Sequence, residues 1–145
     1  MVATSDGGHW IQMRRILPAF EGLDVCYVGV SPEPDADMSA ARYYCVRNAT
    51  RRNPHWFAVI VWQLVRIVLK ERPDVVVTTG AGPGLMALAV GKALVRSRTL
   101  WIDSVANSER LSLSGWLARP IADVHLVQWP HLARPNGPEY WGAVF

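Results

Sequence analysis

Val75-Val76-Val77-Thr78-Thr79-Gly80-Ala81-Gly82-Pro83-Gly84 lies in the middle of the chain, and the fold is read outward from it. Residues 74–79 are β-branched and apolar at nearly every position, the pattern of a strand covered on both faces. A glycine segment, residues 79–84, follows without a spacer, and a helix-like run from about Leu85 to Val95 follows that. Such strand–glycine–helix junctions are where α/β proteins bind phosphates. Glycine lets the backbone approach an anion closely, and the helix start presents unpaired N–H groups and the positive end of its dipole. A shorter copy opens the chain: residues 1–4 read as a strand, Ser5-Asp6-Gly7-Gly8-His9 as the loop, and Trp10, Met13, Ile16 and Leu17 as a helix closed by Pro18 and Gly22. Two such loops point to a pyrophosphate-bearing ligand.

Away from these junctions the alternation continues. Residues 23–30 read as a strand, the proline-rich residues 31–37 as a loop, and residues 38–53 fit neither strand nor helix clearly. Asn53-Pro54 supplies a cap and a first-turn proline for a helix reaching about Lys70, which Pro73 ends. A strand over 99–103, a short helix near 108–117 and a strand over 124–129 complete a β/α order that implies a Rossmann-like, doubly wound parallel sheet. Ligands of such sheets bind at the carboxyl ends of the strands, so both glycine loops and Asp103-Ser104 are expected to line one crevice. At 145 residues the chain fits a single lobe. The dinucleotide fingerprint is poor, because the third glycine of Gly80-Ala81-Gly82-Pro83-Gly84 falls one position early and no acidic residue closes the strand over 23–30.

Half the residues are hydrophobic and 19% are charged, which describes a globular chain and excludes a disordered one. Seven tryptophans suit a core or an interface that needs one apolar side and one polar edge. Cys26 and Cys45 have no C-x-x-C spacing and read as reduced thiols. Net charge is only +3, but between Asp37 and Glu71 every ionised side chain is basic: Arg42, Arg47, Arg51, Arg52, Arg66 and Lys70. Tyr43, Tyr44, Trp56, Phe57 and Trp62 are interleaved with them, a composition that resembles a surface for anionic lipid headgroups. No nucleic-acid motif accompanies the block, and the run from Phe57 to Leu69 is more apolar than a phosphate-tracking helix needs. Around that helix Phe57, Ile60, Val61, Leu64, Ile67 and Val68 form a stripe sufficient to cover a sheet, while Ala58, Trp62, Val65 and Leu69 form a second apolar face. The helix is roughly 23 Å long, short of a ~30 Å hydrocarbon core, so it is expected to lie on a bilayer through Arg51, Arg52, Trp56, Trp62 and Arg66, or to be buried between sheet and protein.

Several further segments carry a resemblance. Gly7-Gly8-His9, Arg72-Pro73-Asp74 leading into the residue 79–84 loop, Asp103-Ser104, Leu111-Ser112-Leu113-Ser114-Gly115, Gln128-Trp129-Pro130 and Tyr140-Trp141-Gly142 recur in this order and spacing. The chain resembles the membrane-associated subunit of the two-chain UDP-N-acetylglucosamine transferase of lipid-linked oligosaccharide synthesis, together with its bacterial exopolysaccharide and capsule relatives. The resemblance runs nearly end to end. It implies the amino-terminal, acceptor-side half of a GT-B glycosyltransferase, with the nucleotide-sugar site on a separate donor-binding chain and no activity alone. It also implies peripheral attachment at the cytoplasmic face of a bacterial cell membrane, or at the endoplasmic reticulum in a eukaryote, beside a lipid-linked saccharide acceptor. Eukaryotic members carry an N-terminal membrane helix, and the sequence here starts about four residues before the first loop, so the start reads as truncated or misassigned.

The site expectations follow from both lines. Gly7, Gly8, Thr79, Gly80, Gly82, Gly84 and Ser104 are candidates to hold the acceptor and its phosphates. His9, at a helix start, is a candidate to take a proton from an acceptor hydroxyl or to neutralise a phosphate, and equally to bond its own turn. Asp103, where relatives often carry glutamate, is a second candidate base, and equally a capping carboxylate near Asn107 and Ser108. Tyr140, Trp141, Val144 and Phe145 end the chain on apolar groups expected either to meet the partner or to pack as an edge strand. No metal cluster or cofactor is expected. Two other readings stand beside this one: a stand-alone Rossmann-like nucleotide-binding enzyme, and a non-catalytic membrane scaffold.

Overall fold

The computed structural model describes residues 1–32, 42–47 and 55–144. Six strands form one sheet: β1 (Val2–Ala3), β2 (Cys26–Gly29), β3 (Arg42–Cys45), β4 (Val75–Thr78), β5 (Arg98–Ile102) and β6 (Val124–Leu126). Their order is β3-β2-β1-β4-β5-β6, and every pairing is parallel. Among the described residues four α-helices accompany them: α1 (Gly8–Ile16), α2 (His55–Glu71), α3 (Ala81–Val95) and α4 (Leu113–Ala118). The expected doubly wound sheet is what the chain forms.

Strand side chains alternate between the faces, and the two cores separate accordingly. Ala3, Val28, Val76 and Trp101 face α2, α3 and α4, which contribute Ile60, Leu64, Val68, Ala87, Leu88 and Ala118. Val2, Val77 and Ile102 face the other way, onto Met13 of α1. Glycine permits the tightest contacts. A Cβ on Gly84 would stand 2.0 Å from the Thr78 hydroxyl, and one on Gly91 2.7 Å from Val76, so α3 lies closer to β4 than a side chain would allow.

Several boundaries differ from expectation: the strand expected over 23–30 is Cys26–Gly29, and the one expected over 124–129 ends at Leu126. Helix α3 begins at Ala81, not Leu85, because its glycines and Pro83 fall in the first turn, where N–H groups have no intrahelical acceptor and proline loses nothing. Helix α4 begins at Leu113, after Ser112 caps it by accepting from the Gly115 N–H at 2.8 Å. Within the ambiguous stretch 38–53, Arg42–Cys45 is strand β3, paired along its length with β2 and tied by Arg42 to Glu71 at 3.1 Å. The loop over 33–37, the cap Asn53-Pro54, Arg51, Arg52 and Phe145 lie outside the described residues.

The strand order places the site. The chain moves outward from β1 through β2 to β3, returns, and moves the other way from β4 to β6. Progression therefore reverses between β1 and β4, and the loops leaving these neighbours splay apart into a crevice at their carboxyl ends.

Candidate functional site

Both glycine loops leave the sheet at this reversal. After β1, Gly7 turns the backbone with φ +71° and α1 starts at Gly8. After β4, Gly80 (φ +123°) and Ala81 (φ +65°) turn it again into α3. A non-glycine residue in the left-handed region is uncommon, and such strain collects at ligand sites. Neither helix receives a side-chain cap, and neither has an acidic residue in its first turn. Gly8, Gly82 and Gly84 thus lie within helix starts, not free loops. Gly82 opens on the crevice, whereas Gly84 is buried against Thr78.

A cleft of about 650 Å³ occupies the crevice. Its polar side holds His9, Ser104, Asn107, Ser112 and Ser114, and its apolar wall is Phe57, Leu85, Met86, Leu113 and Leu117. The lining therefore offers partners both for a charged or hydroxylated group and for a hydrocarbon.

His9 is half-buried and bound to the other loop. Its Nδ1 lies 2.9 Å from the Thr79 carbonyl oxygen, and the Thr79 hydroxyl donates to the His9 carbonyl at 2.8 Å. Thr79 is fully buried and its hydroxyl is also 3.3 Å from that of Thr4. The ring rests on Gly80, where a Cβ would stand 2.8 Å from Cε1.

Asp103 is 2% exposed and its carboxylate is fully engaged. Oδ1 accepts from the Ser104 N–H at 3.1 Å, Asn107 Nδ2 at 3.2 Å and Ser112 Oγ at 2.9 Å, while Oδ2 accepts from the Ser112 N–H at 3.2 Å. These bonds fold residues 103–112 into the cleft rim and aim α4. Gln12 secures the same rim from α1: it donates to the Asp103 carbonyl at 2.9 Å and accepts from the Val105 N–H at 3.2 Å. Sequence reading missed Gln12, whose signal is a polar residue beside Met13 on the inward side of α1. It also missed the cleft's apolar wall, because that wall is assembled from three helices far apart in the chain.

Of the membrane candidates, Trp56, Trp62 and Arg66 sit on α2. Val61, Trp62 and Leu69 are exposed along its outer face, Trp62 by 58%. The Arg66 guanidinium stands 4.9 Å over the Trp62 ring, Arg47 4.5 Å over Trp56, and the Lys70 ammonium 5.1 Å over Tyr44. Among the described residues no helix is long and apolar enough to cross a membrane.

At the chain end, Glu139 pairs beside β6, its N–H donating to the His125 carbonyl at 2.8 Å. Tyr140 and Trp141 are exposed, while Val144 is held by Gln128 Oε1 and by Arg15, both at 2.9 Å. A second cavity of about 540 Å³ lies at this outer edge beside His125 and shares Leu117 with the cleft.

A parallel six-stranded sheet whose crevice opens at the β1/β4 reversal is a Rossmann-like lobe, the amino-terminal half of a GT-B glycosyltransferase fold. Among solved structures, the chain superposes on Acinetobacter baumannii MurG with a TM-score of 0.67 at 14% identity, covering 99% of this chain and 44% of that one. It also superposes on the UDP-GlcNAc 2-epimerase of Methanocaldococcus jannaschii with a TM-score of 0.61 at 14% identity, covering 88% and 38%. Residues 38–144 match the family described as "Oligosaccharide biosynthesis protein Alg14 like", and the chain belongs to that family.

Its curated relatives are named UDP-N-acetylglucosamine transferase subunit ALG14. The Eremothecium gossypii protein is 35% identical over 103 residues, 68% of this chain and 45% of that protein. The Mus musculus protein is 34% identical over 77 residues, 50% of this chain and 36% of that protein. The Debaryomyces hansenii protein aligns with 98% of this chain at 25% identity and is itself covered over 74%. The chain thus spans under half the length of most of these relatives.

Proposed function

We propose that this chain is the acceptor-binding, membrane-recruiting subunit of a two-chain glycosyltransferase. A separate donor-binding subunit supplies UDP-N-acetylglucosamine or a related UDP-sugar, and the product is an extended lipid-linked saccharide of oligosaccharide or polysaccharide synthesis. The observation that carries this reading is the position of His9. It lines a cleft between two uncapped helix starts, and its Nε2 has no protein partner among the described residues.

The chemistry follows from the two sides of the cleft. The N–H groups that begin α1 and α3 have no side-chain competitor for a pyrophosphate, and the apolar wall from Phe57 to Leu117 accepts the adjoining hydrocarbon. An acceptor hydroxyl near His9 loses its proton to the imidazole as its oxygen attacks the sugar's anomeric carbon and the UDP departs, a direct and inverting displacement. Asp103 acts on this step by shaping the rim, since its four bonds leave its carboxylate committed. The outer face of α2, with Trp56, Trp62 and Arg66, together with Arg51 and Arg52 earlier in the sequence, holds the lobe against the bilayer, on the cytoplasmic face or at the endoplasmic reticulum. The tail, Tyr140, Trp141, Val144 and Phe145, meets the donor-binding subunit.

Co-expression with a donor-lobe chain tests the reading. The pair is expected to move labelled N-acetylglucosamine from its UDP form to a polyprenyl-pyrophosphate-linked sugar, and His9→Ala to lower kcat by about 100- to 10,000-fold. Transfer at ordinary rates by the isolated chain, or by a pair carrying His9→Ala, would refute it.

A further inference from the structure

We infer that Thr79 is the positioning residue that fixes the tautomer of His9, so that His9 exchanges protons with the acceptor only through Nε2. This rests on the proposed role of His9 and goes beyond it by assigning the nitrogen and the group that selects it.

The argument begins at the carbonyl oxygen of Thr79, 2.9 Å from His9 Nδ1. A carbonyl oxygen has no proton to give, so the bond exists only with a proton on Nδ1. In the neutral ring the lone pair then belongs to Nε2, and in the charged ring the labile proton sits there. The same residue holds the backbone, because its hydroxyl donates to the His9 carbonyl at 2.8 Å. Ring and main chain of His9 are thus held at two points by one fully buried residue. Thr4 braces the clamp from β1, its hydroxyl 3.3 Å from that of Thr79. Gly80 completes the seat, since any Cβ there would lie 2.9 Å from Nδ1 and push the ring off the carbonyl.

Thr79 is therefore not a phosphate ligand in this assignment, its hydroxyl being buried and committed. During transfer the acceptor O–H bond breaks, its proton passes to Nε2, the oxygen bonds the anomeric carbon, and the bond from that carbon to UDP breaks. The resulting imidazolium keeps its Nδ1–H on Thr79, and Nε2 returns its proton to water after product leaves.

The test reads the tautomer directly. Long-range proton–nitrogen NMR spectra of the full chain, ¹⁵N-labelled at histidine, are recorded alone and with the donor-binding chain, with His9→Gln assigning the His9 signals. Neutral His9 is expected as the Nδ1–H form. Gly80→Ala leaves the Thr79 carbonyl in place but sets a Cβ against the ring, and is expected to release His9 into a tautomer mixture. In the assembled pair it lowers kcat by about 10- to 100-fold with KM within about twofold. Thr79→Val, which keeps the carbonyl and removes only the hydroxyl, is expected to keep the Nδ1–H form. An Nε2–H form in the wild type overturns the proposal, and so does a Gly80→Ala variant with unchanged tautomer. Should that variant not fold, the wild-type spectrum and the Val variant decide alone. An Nδ1–H wild type whose His9→Ala pair keeps full activity would leave the clamp standing and remove the catalytic role of His9.

Discussion

Asp103 and His9 stand at the carboxyl ends of β5 and β1, with the β4 loop between them, and their hydrogen bonds separate what they do. Asp103 spends its acceptor capacity on four donors of its own loop, whereas His9 uses one nitrogen for attachment and keeps the other. His125 presents a third situation. It is buried on β6 against Trp101, ring centroids 6.2 Å apart, and neither of its nitrogens finds a partner among the described residues. Burial pushes its pKa below the ordinary value of 6.5; Asp103 works against that shift and Arg119 with it. The unfolded chain therefore takes up this proton more readily than the folded one. The stability is intact above pH 6.5 and is lost as pH falls below it. The melting temperature is expected to drop between pH 7.5 and pH 5.5, and His125→Phe to flatten that slope, as followed by circular dichroism. Identical slopes for the two proteins would show that His125 does not carry the effect.

Among the elements, α2 joins membrane reading and fold reading. Its inner stripe was legible in part: Ile60, Leu64, Ile67 and Val68 recur at helical spacing and are buried, whereas Phe57 and Val61, expected in the same stripe, are exposed. Its outer face stays exposed, so Val61→Ser with Trp62→Ser is expected to leave the melting temperature unchanged. Binding to vesicles containing phosphatidylglycerol is expected to weaken at least about tenfold, measured by co-sedimentation, since each large apolar side chain contributes about 1.5–3 kcal/mol when buried. Unchanged binding would place the membrane contact elsewhere. The other elements show where a linear reading stops. Strand β4 and its junction were plain because β-branched residues run unbroken into glycine. Strand β3 was not, because Arg42, Tyr43, Tyr44 and Cys45 sit at the sheet edge and are chosen by their contacts with Glu71, Ser31 and Lys70. The start of α3 was placed late because glycine and proline count against a helix interior, yet cost nothing in its first turn. Likewise His9 was legible as a loop histidine, while its clamp was not, because Thr79 is 70 residues away in sequence.

At the scale of the molecule, the cleft lies at the β1/β4 reversal, and in the proposed function a donor-binding chain completes it. Residues of α1 to α4 and of the segment between β5 and α4 line the cleft, and the tail crosses from the β6 edge to α1, where Arg15 holds the Val144 carbonyl. That attachment fixes the tail's course while leaving its aromatics outward: Trp141 is 66% exposed, its indole N–H donating to Glu139 Oε2 at 2.8 Å. Exposed aromatics on an anchored segment bind well because little chain entropy remains to be lost on contact. Tyr140→Ala with Trp141→Ala is therefore expected to weaken assembly with the donor-binding chain by about 30-fold or more, measured by calorimetric titration, at unchanged melting temperature. His9→Ala is expected to do the reverse, leaving assembly intact and removing turnover. If the aromatic pair proved silent in assembly while transfer persisted, the donor-binding chain would have to dock elsewhere, and the open crevice beside His9 would be the next surface to substitute.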